Sequence, residues 1–180
     1  MKIAIACDHG AYDYKMEIKK MLEEEGHEVI DCGCDSDASV DYPDYGSACA
    51  RKVAAGEVDT GIVMCGTGIG ISISANKIKG IRCALCTDTT MARLTREHND
   101  ANMLAMGQRT GGLATSSRRS LASCVHGTMA RKSSKAGRQR LTNAMKGTTL
   151  GQSMSLKGTL RLMAHHMTSP AKRPSSRTSV

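Results

Sequence analysis

The chain contains no Phe and no Trp, and all four of its Tyr residues precede residue 46. A module that stacks nucleobases on aromatic rings is therefore excluded over most of the length. No run of 18 apolar residues occurs, so no membrane-spanning helix is expected. Acidic residues are missing from the whole stretch after Asp100. Residues 1–109 hold 12 Lys/Arg against 17 Asp/Glu, whereas residues 110–180 hold 13 Lys/Arg and no acid, so the overall charge of +8 joins an acidic part to a strongly basic one. The apolar periodicity that marks packed elements also fades after Arg109, where 21 of the remaining residues are Ser or Thr.

What is present lies mostly before that break. A chain of 180 residues is long enough for one domain with a real core. Short apolar strands are expected at Lys2–Cys7, His27–Cys32, Thr60–Cys65, Ile81–Thr87 and Asn102–Gly107. Between them the spacing predicts helices over Ala11–Glu25, Tyr45–Ala55, Ile71–Ile78 and Thr89–His98, with Asp41-Tyr-Pro-Asp as a turn before the second. Strands alternating with helices imply right-handed βαβ units and a parallel sheet covered on both faces, with ligands at the C-terminal strand ends. Those ends carry Cys7-Asp8-His9-Gly10, Cys65-Gly66-Thr67-Gly68, Asp88 and Gly107-Gln108-Arg109.

The stretch Cys65-Gly66-Thr67-Gly68-Ile69-Gly70 carries the most chemistry. Strand, glycine loop and helix together form an anion cradle of backbone N–H groups near a helix N-terminus. Here the cradle starts with a thiol, and a thiol at a helix N-terminus gains thiolate character. The loop lacks the Lys-Ser/Thr of a nucleotide-binding loop, and its alternating glycines depart from the dinucleotide fingerprint, so ATP and NAD are disfavoured. Asp8-His9 reads either as a solvated turn or as two ionisable groups at a ligand edge. His98-Asn99-Asp100 reads either as a helix C-cap or as functional. Arg109 is either a surface charge or a phosphate fork, and Tyr42 a turn-packing residue.

The eight cysteines accompany an N-terminus that reads as a strand rather than a signal peptide, which predicts a reducing, cytoplasmic location with free thiols. Cys83 and Cys86 have CxxC spacing, but an offset of three on a strand puts them on opposite faces. Cys32 and Cys34 would share a face if strand-like, without a second ligand pair. Apart from Cys65, the cysteines read as buried or incidental, and no metal site is expected.

Cys7-Asp-His-Gly-Ala-Tyr, Asp41-Tyr-Pro-Asp-Tyr, Cys65-Gly-Thr-Gly-Ile-Gly-Ile-Ser-Ile-Ser-Ala-Asn-Lys, Gly80-Ile-Arg and Arg96-Glu-His-Asn-Asp-Ala-Asn, in this order, resemble ribose-5-phosphate isomerase type B, within the wider family of type B pentose phosphate and galactose-6-phosphate isomerases. The resemblance runs from residue 1 to about Arg109. It implies a Rossmann-like αβα sandwich with a five-stranded parallel sheet, a homodimer or homotetramer with sites shared across the dimer interface, and no cofactor. It further implies that Cys65 is the base that moves a proton between C2 and C1 through a cis-enediolate, and that Thr67 shuttles protons between the two oxygens. His98 and Asp8 would open the sugar ring, and the amides of Gly66, Gly68, Ile69 and Gly70 would hold the oxyanion. His9 and Arg109 would bind the phosphate, while Tyr42 and Asn99 would line the sugar. The presence of His98-Asn99-Asp100 favours a pentose phosphate over galactose 6-phosphate, with allose 6-phosphate as a secondary substrate.

Beyond Arg109 the family's long apolar helix, its Gly-Gly-Arg-His-like segment with two phosphate-binding arginines, and its final helix have no recognisable counterpart. Residues 1–109 are thus expected to form the isomerase domain. Residues 110–180 are expected to form an atypical Ser/Thr-rich basic segment, disordered or poorly packed, such as a shifted reading frame would produce. Such a segment would weaken substrate binding and would attract nucleic acid without sequence preference. Binding of a mixed-sequence RNA is accordingly expected to fall steeply as salt is raised; salt-insensitive binding in a titration would argue against a charge-driven contact.

Overall fold

The computed structural model describes residues 1–110 and Val125. The chain divides into two units, Met1–Gln139 and Arg140–Val180, and every described residue belongs to the first. The expected order or disorder of residues 110–180, and the reading-frame break, therefore lie outside the described residues, save Thr110 and Val125.

Five parallel strands form the sheet: β1 (Lys2–Cys7), β2 (Glu28–Asp31), β3 (Thr60–Cys65), β4 (Cys83–Leu85) and β5 (Met103–Gly107), in the order β2-β1-β3-β5-β4. The helices are α1 (Tyr12–Glu24), α2 (Tyr42–Ala54), α3 (Ile69–Asn76) and α4 (Thr89–Asn99), with a 3-10 turn at His9–Ala11 leading into α1. The expected α/β sandwich is thus the observed one. From β1 the chain crosses one way to β2 and the other way to β3, which makes the gap between the C-terminal ends of β1 and β3 the topological switch point where such sheets bind ligands.

Strand alternation sorts the core into two clusters. Ile3, Ile5, Ile62, Met64, Leu104 and Met106 face α1 and α4, while Ala4, Ala6, Val63, Ala105 and Met103 face α2 and α3. Burial on both sides explains why β3 and β5 read as continuous apolar runs. Without Phe or Trp, volume comes from Ile, Leu and Met, each contributing roughly 1.5–3 kcal/mol when fully buried. Small residues then let backbones approach closely.

Several boundaries differ from the periodicity reading. α2 starts at Tyr42 rather than Tyr45, because Pro43 occupies the first helical turn, where its missing N–H costs nothing. α3 begins two residues early, at Ile69, directly after Gly68 turns the chain at φ +76°. The strand expected at Ile81–Thr87 shortens to Cys83–Leu85, an edge strand paired only with β5. Cys83 and Cys86 do fall in opposite core clusters. Cys32 and Cys34 do not share a face. The chain leaves β2 after Asp31, whose Oδ1 accepts from Gly33 N–H at 3.1 Å, and Cys34 packs toward Cys7 while Cys32 packs beside Cys49.

The end of β5 presses on the glycine loop. A methyl group at Gly107 would lie 2.5 Å from the carbonyl carbon and oxygen of Thr67. Neither backbone can yield cheaply, so Gly107→Ala is expected to destabilise the fold by ~1–3 kcal/mol, read as a lowered denaturant midpoint; an unchanged midpoint would show that the loop is not pinned there.

Candidate active site

Three strand ends meet at the switch point and are stitched by backbone bonds. Asp8 N–H donates to Met64 O at 3.1 Å, Gln108 N–H to Cys65 O at 3.0 Å, and Arg109 N–H to Gly66 O at 2.8 Å. Thr110 Oγ1 donates to Thr67 O at 3.2 Å. The loop after β3 is thereby held from both sides.

Cys65 ends β3 and is 4% exposed. Gly68 N–H donates to its Sγ at 3.0 Å, so the sulfur sits in the mouth of the turn that starts α3. Ile69 N–H donates to Thr67 Oγ1 at 3.3 Å. Gly70 and Ile71 follow in the first helical turn, where the helix itself offers no carbonyl partner to an amide. An anion placed beside Cys65 therefore meets N–H groups and the positive end of the helix. The Tyr42 ring lies against Gly70: a methyl group there would be 2.6 Å from Tyr42 Cζ, which brings the sugar-lining candidate to the loop.

Asp8 caps the 3-10 turn, its Oδ1 accepting from Gly10 N–H at 2.9 Å. Burial raises its pKa above the ordinary carboxylate value, an effect opposed by the Gly10 bond and by the charges of His9 and Arg109. A methyl group at Gly10 would lie 3.3 Å from Asp8 Oδ1, 3.5 Å from Gly66 N and 3.6 Å from Arg109 Nη2. Asp8, Gly66 and the Arg109 guanidinium thus converge on one point. Arg109 also lies along Gly66, with Cδ 3.5 Å from where a Cβ would stand. His9 Nδ1 is 3.2 Å from Val40 O and 3.1 Å from Val40 N, so the Val40 backbone holds the ring in either tautomer, as acceptor or as donor.

His98 and Asn99 are not at this place. Both are exposed at the C-terminal end of α4, and the chain beyond them returns to the opposite edge of the sheet. There Asp100 pairs with Arg82 and Arg96, and Asn102 O accepts from Thr60 Oγ1 at the start of β3. From Thr60 to Cys65 the strand spans roughly 16 Å. The ion pairs and bonds that follow His98 and Asn99 are thus made at the N-terminal ends of the strands, whereas Cys65 stands at the C-terminal end of β3.

The other described thiols mostly behave as core. Burial pushes Cys7 and Cys83 up to about 12, with the Cys34 thiol adding to the effect at Cys7. Cys49 is likewise raised, by its bond with Cys32 and by burial. Cys32 departs from this pattern: a hydrogen bond from Cys49 and the charge of Lys52 hold it below the ordinary thiol value. No group of three or more His, Cys, Asp or Glu among the described residues is arranged to hold a metal ion. No helix among them is long and apolar enough to cross a membrane.

A family model described as Ribose/Galactose Isomerase matches residues 3–122. The chain belongs to the ribose/galactose isomerase family. The match extends past Arg109, where the motif resemblance stops. Ribose-5-phosphate isomerase B of Escherichia coli is 54% identical over 112 residues, 62% of this chain and 75% of that protein. The galactose-6-phosphate isomerase subunit LacB of Clostridium acetobutylicum is 50% identical over 113 residues, 63% of this chain and 65% of that subunit. The solved structure of ribose-5-phosphate isomerase B from Clostridium thermocellum superposes with a TM-score of 0.73 at 46% identity, covering 86% of this chain and all of that one. The chain is thus a sugar phosphate isomerase by family, with the fold of its solved relatives.

The backbone of Val40, which grips His9, was not recognisable from sequence, since a main-chain contact leaves no residue-type signal. Asp8 carries a testable pH signature. Its raised pKa means that the folded chain binds the proton more tightly than the unfolded chain. Its contribution to stability is present below the unfolded pKa and is lost as pH rises through the folded value. Asp8→Asn keeps an acceptor for Gly10 and is expected to melt at or above the parent temperature near neutral pH, with no advantage at about pH 3. A lower melting temperature at neutral pH would refute the burial account.

Proposed function

We propose that this chain interconverts ribose 5-phosphate and ribulose 5-phosphate through a cis-enediolate. The observation that carries the reading is the Cys65 thiol at the mouth of the glycine loop, with Asp8 and Arg109 converging beside it. A C–H acid next to a carbonyl needs a base and a poised oxyanion site, and this arrangement provides both. Cys65 takes the proton from C2 and returns a proton to C1, while a hydroxyl proton moves from O2 to O1 with help from Thr67. One C–H bond breaks and one forms, with no external oxidant. The amides of Gly66, Gly68, Ile69 and Gly70 stabilise the enediolate more than the ground state, once Cys65 Sγ releases Gly68 N–H. His9 and Arg109 hold the phosphate; Tyr42 and Asn99 line the sugar. Residues 1–109 form the catalytic domain in this reading and 110–180 a separate basic segment.

Ring opening requires Asp8 and His98, which one chain keeps apart. In this reading a second copy supplies His98 and Asn99 to the site, so the working unit is a homodimer or a pair of dimers. Ile69 and Ile73 support this, being 52% and 55% exposed on one face of α3, directly beside the glycine loop. Galactose 6-phosphate is the second candidate substrate, favoured by the likeness to LacB; the His98-Asn99-Asp100 sequence favours the pentose.

The purified full-length chain is expected to convert ribose 5-phosphate to ribulose 5-phosphate with a higher kcat/KM than it shows on galactose 6-phosphate. Cys65→Ala should lower turnover at least ~10²-fold while leaving phosphate binding measurable. Undiminished turnover in Cys65→Ala would remove Cys65 as the base, and no turnover in the parent chain would point to an impaired member of the family.

A further inference from the structure

The most deeply buried charge in the described fold belongs to Lys15. It lies in α1, and its side chain is 1% exposed. Its Nζ donates to Asp31 Oδ1 at 2.7 Å and to Cys34 O at 2.6 Å, and stands 5.6 Å from the Tyr12 ring centre. Lys19 Nζ closes the cluster on Asp31 Oδ2 at 3.2 Å. Hydrogen bonds and charge from Lys15, with help from Lys19 and Gly33, hold the Asp31 carboxyl below its ordinary value despite burial. A pair with one partner this buried and the other 21% exposed is weak evidence of stabilisation, because apolar side chains of similar volume often serve as well; its hydrogen bonds nonetheless tie Asp31 and the Cys34 carbonyl to α1.

The geometry it fixes is a loop. After β2 the chain runs without regular structure from Cys32 to Asp41, and five consecutive residues, Asp35 to Ser39, are exposed. Backbone bonds to β1 restrain its beginning (Cys32 N–H to Ile5 O and Cys7 N–H to Gly33 O, both 2.8 Å), and two side chains add to them: Asp31 accepts from Gly33 N–H, and Lys15 donates to Cys34 O. One anchor restrains its end, the Val40 backbone against His9 Nδ1. The same Cys34 is bonded to the strand that delivers Asp8 and His9, since Cys34 N–H donates to Cys7 O at 3.1 Å. Lys15 therefore sits where α1, the end of β1 and the His9-holding loop join.

We propose that Lys15 is a positioning residue for the phosphate end of the site: by clamping Asp31 and the Cys34 carbonyl, it sets the loop whose Val40 backbone aims His9. The proposal rests on the reading of His9 as a phosphate ligand. Lys15 touches no substrate and acts only through the loop, so it governs sugar-phosphate binding rather than the proton transfer at Cys65.

The test is a double-mutant cycle between Lys15→Met and His9→Ala in the full chain. KM for ribose 5-phosphate and the calorimetric dissociation constant of inorganic phosphate are measured for each variant. In the parent background Lys15→Met should raise both constants about tenfold, with kcat changed less than about twofold. In the His9→Ala background it should raise neither further. A folded Lys15→Met protein with unchanged constants, or with effects that add to those of His9→Ala, overturns the proposal. If Lys15→Met does not fold, Asp31→Asn, which keeps an acceptor for Gly33, is judged by the same two criteria. A parent chain that binds phosphate without isomerising ribose 5-phosphate would fail the functional reading alone, since the phosphate arm still reports the coupling between Lys15 and His9.

Discussion

Close backbone approach at the end of β3 is the constraint on which the rest of the site depends. The carbonyls of Met64, Cys65 and Gly66 are taken by amides from the loops after β1 and β5, and Thr67 lies against Gly107 with no room for a Cβ. Few residue types tolerate that geometry. Gly68 turns the chain at positive φ into α3, and a side chain there would strike Leu85 and the Met106 backbone. Glycine at these points serves first to bring three strand ends together. The anion cradle follows, because the same compression aims the Gly68 amide, at the cap of α3, at the thiol that ends the strand.

A core without Phe or Trp suits this compression. The two faces of β1 differ sharply, with Ile3 and Ile5 toward α1 but only Ala4 and Ala6 toward α2 and α3. Small side chains on the second face let α2 and α3 sit close enough for the Tyr42 ring to lie on Gly70 and for Ile71 to lie against Gly46. Close helix packing rather than aromatic bulk sets the position of the glycine loop.

Much of the site was readable from sequence because parallel sheets collect function at one edge. Cys65, Asp8, His9 and Arg109 were placed by strand order and glycine spacing, and the structure brings them together. Tyr42 was read as a turn residue outside a helix; it reaches Gly70 because Pro43 starts that helix early. Lys15 shows a different limit. A lysine carries no residue-type signal of burial, yet Lys15 joins Ala11, Ile18 and Leu22 in one stripe that the structure buries. Cys32 and Cys34 share a face only on a continuing strand, and that condition fails because the Asp31 turn ends the strand first.

His98 and Asn99 mark the point at which one chain ceases to be a sufficient description. The Arg82, Arg96 and Asp100 ion pairs hold the end of α4 firmly at the edge opposite Cys65. A local hinge that carried His98 toward the C-terminal end of β3 would have to break that cluster. Two alternatives remain for a group placed so rigidly far from the base: a capping role in its own chain, or service in the site of a second copy. The exposed isoleucines of α3 stand beside the site that lacks these groups, and burying them would remove apolar surface from water. On the proposed reading, association and catalysis are therefore one requirement, since the contact that covers Ile69 and Ile73 is also the one that completes the ring-opening pair.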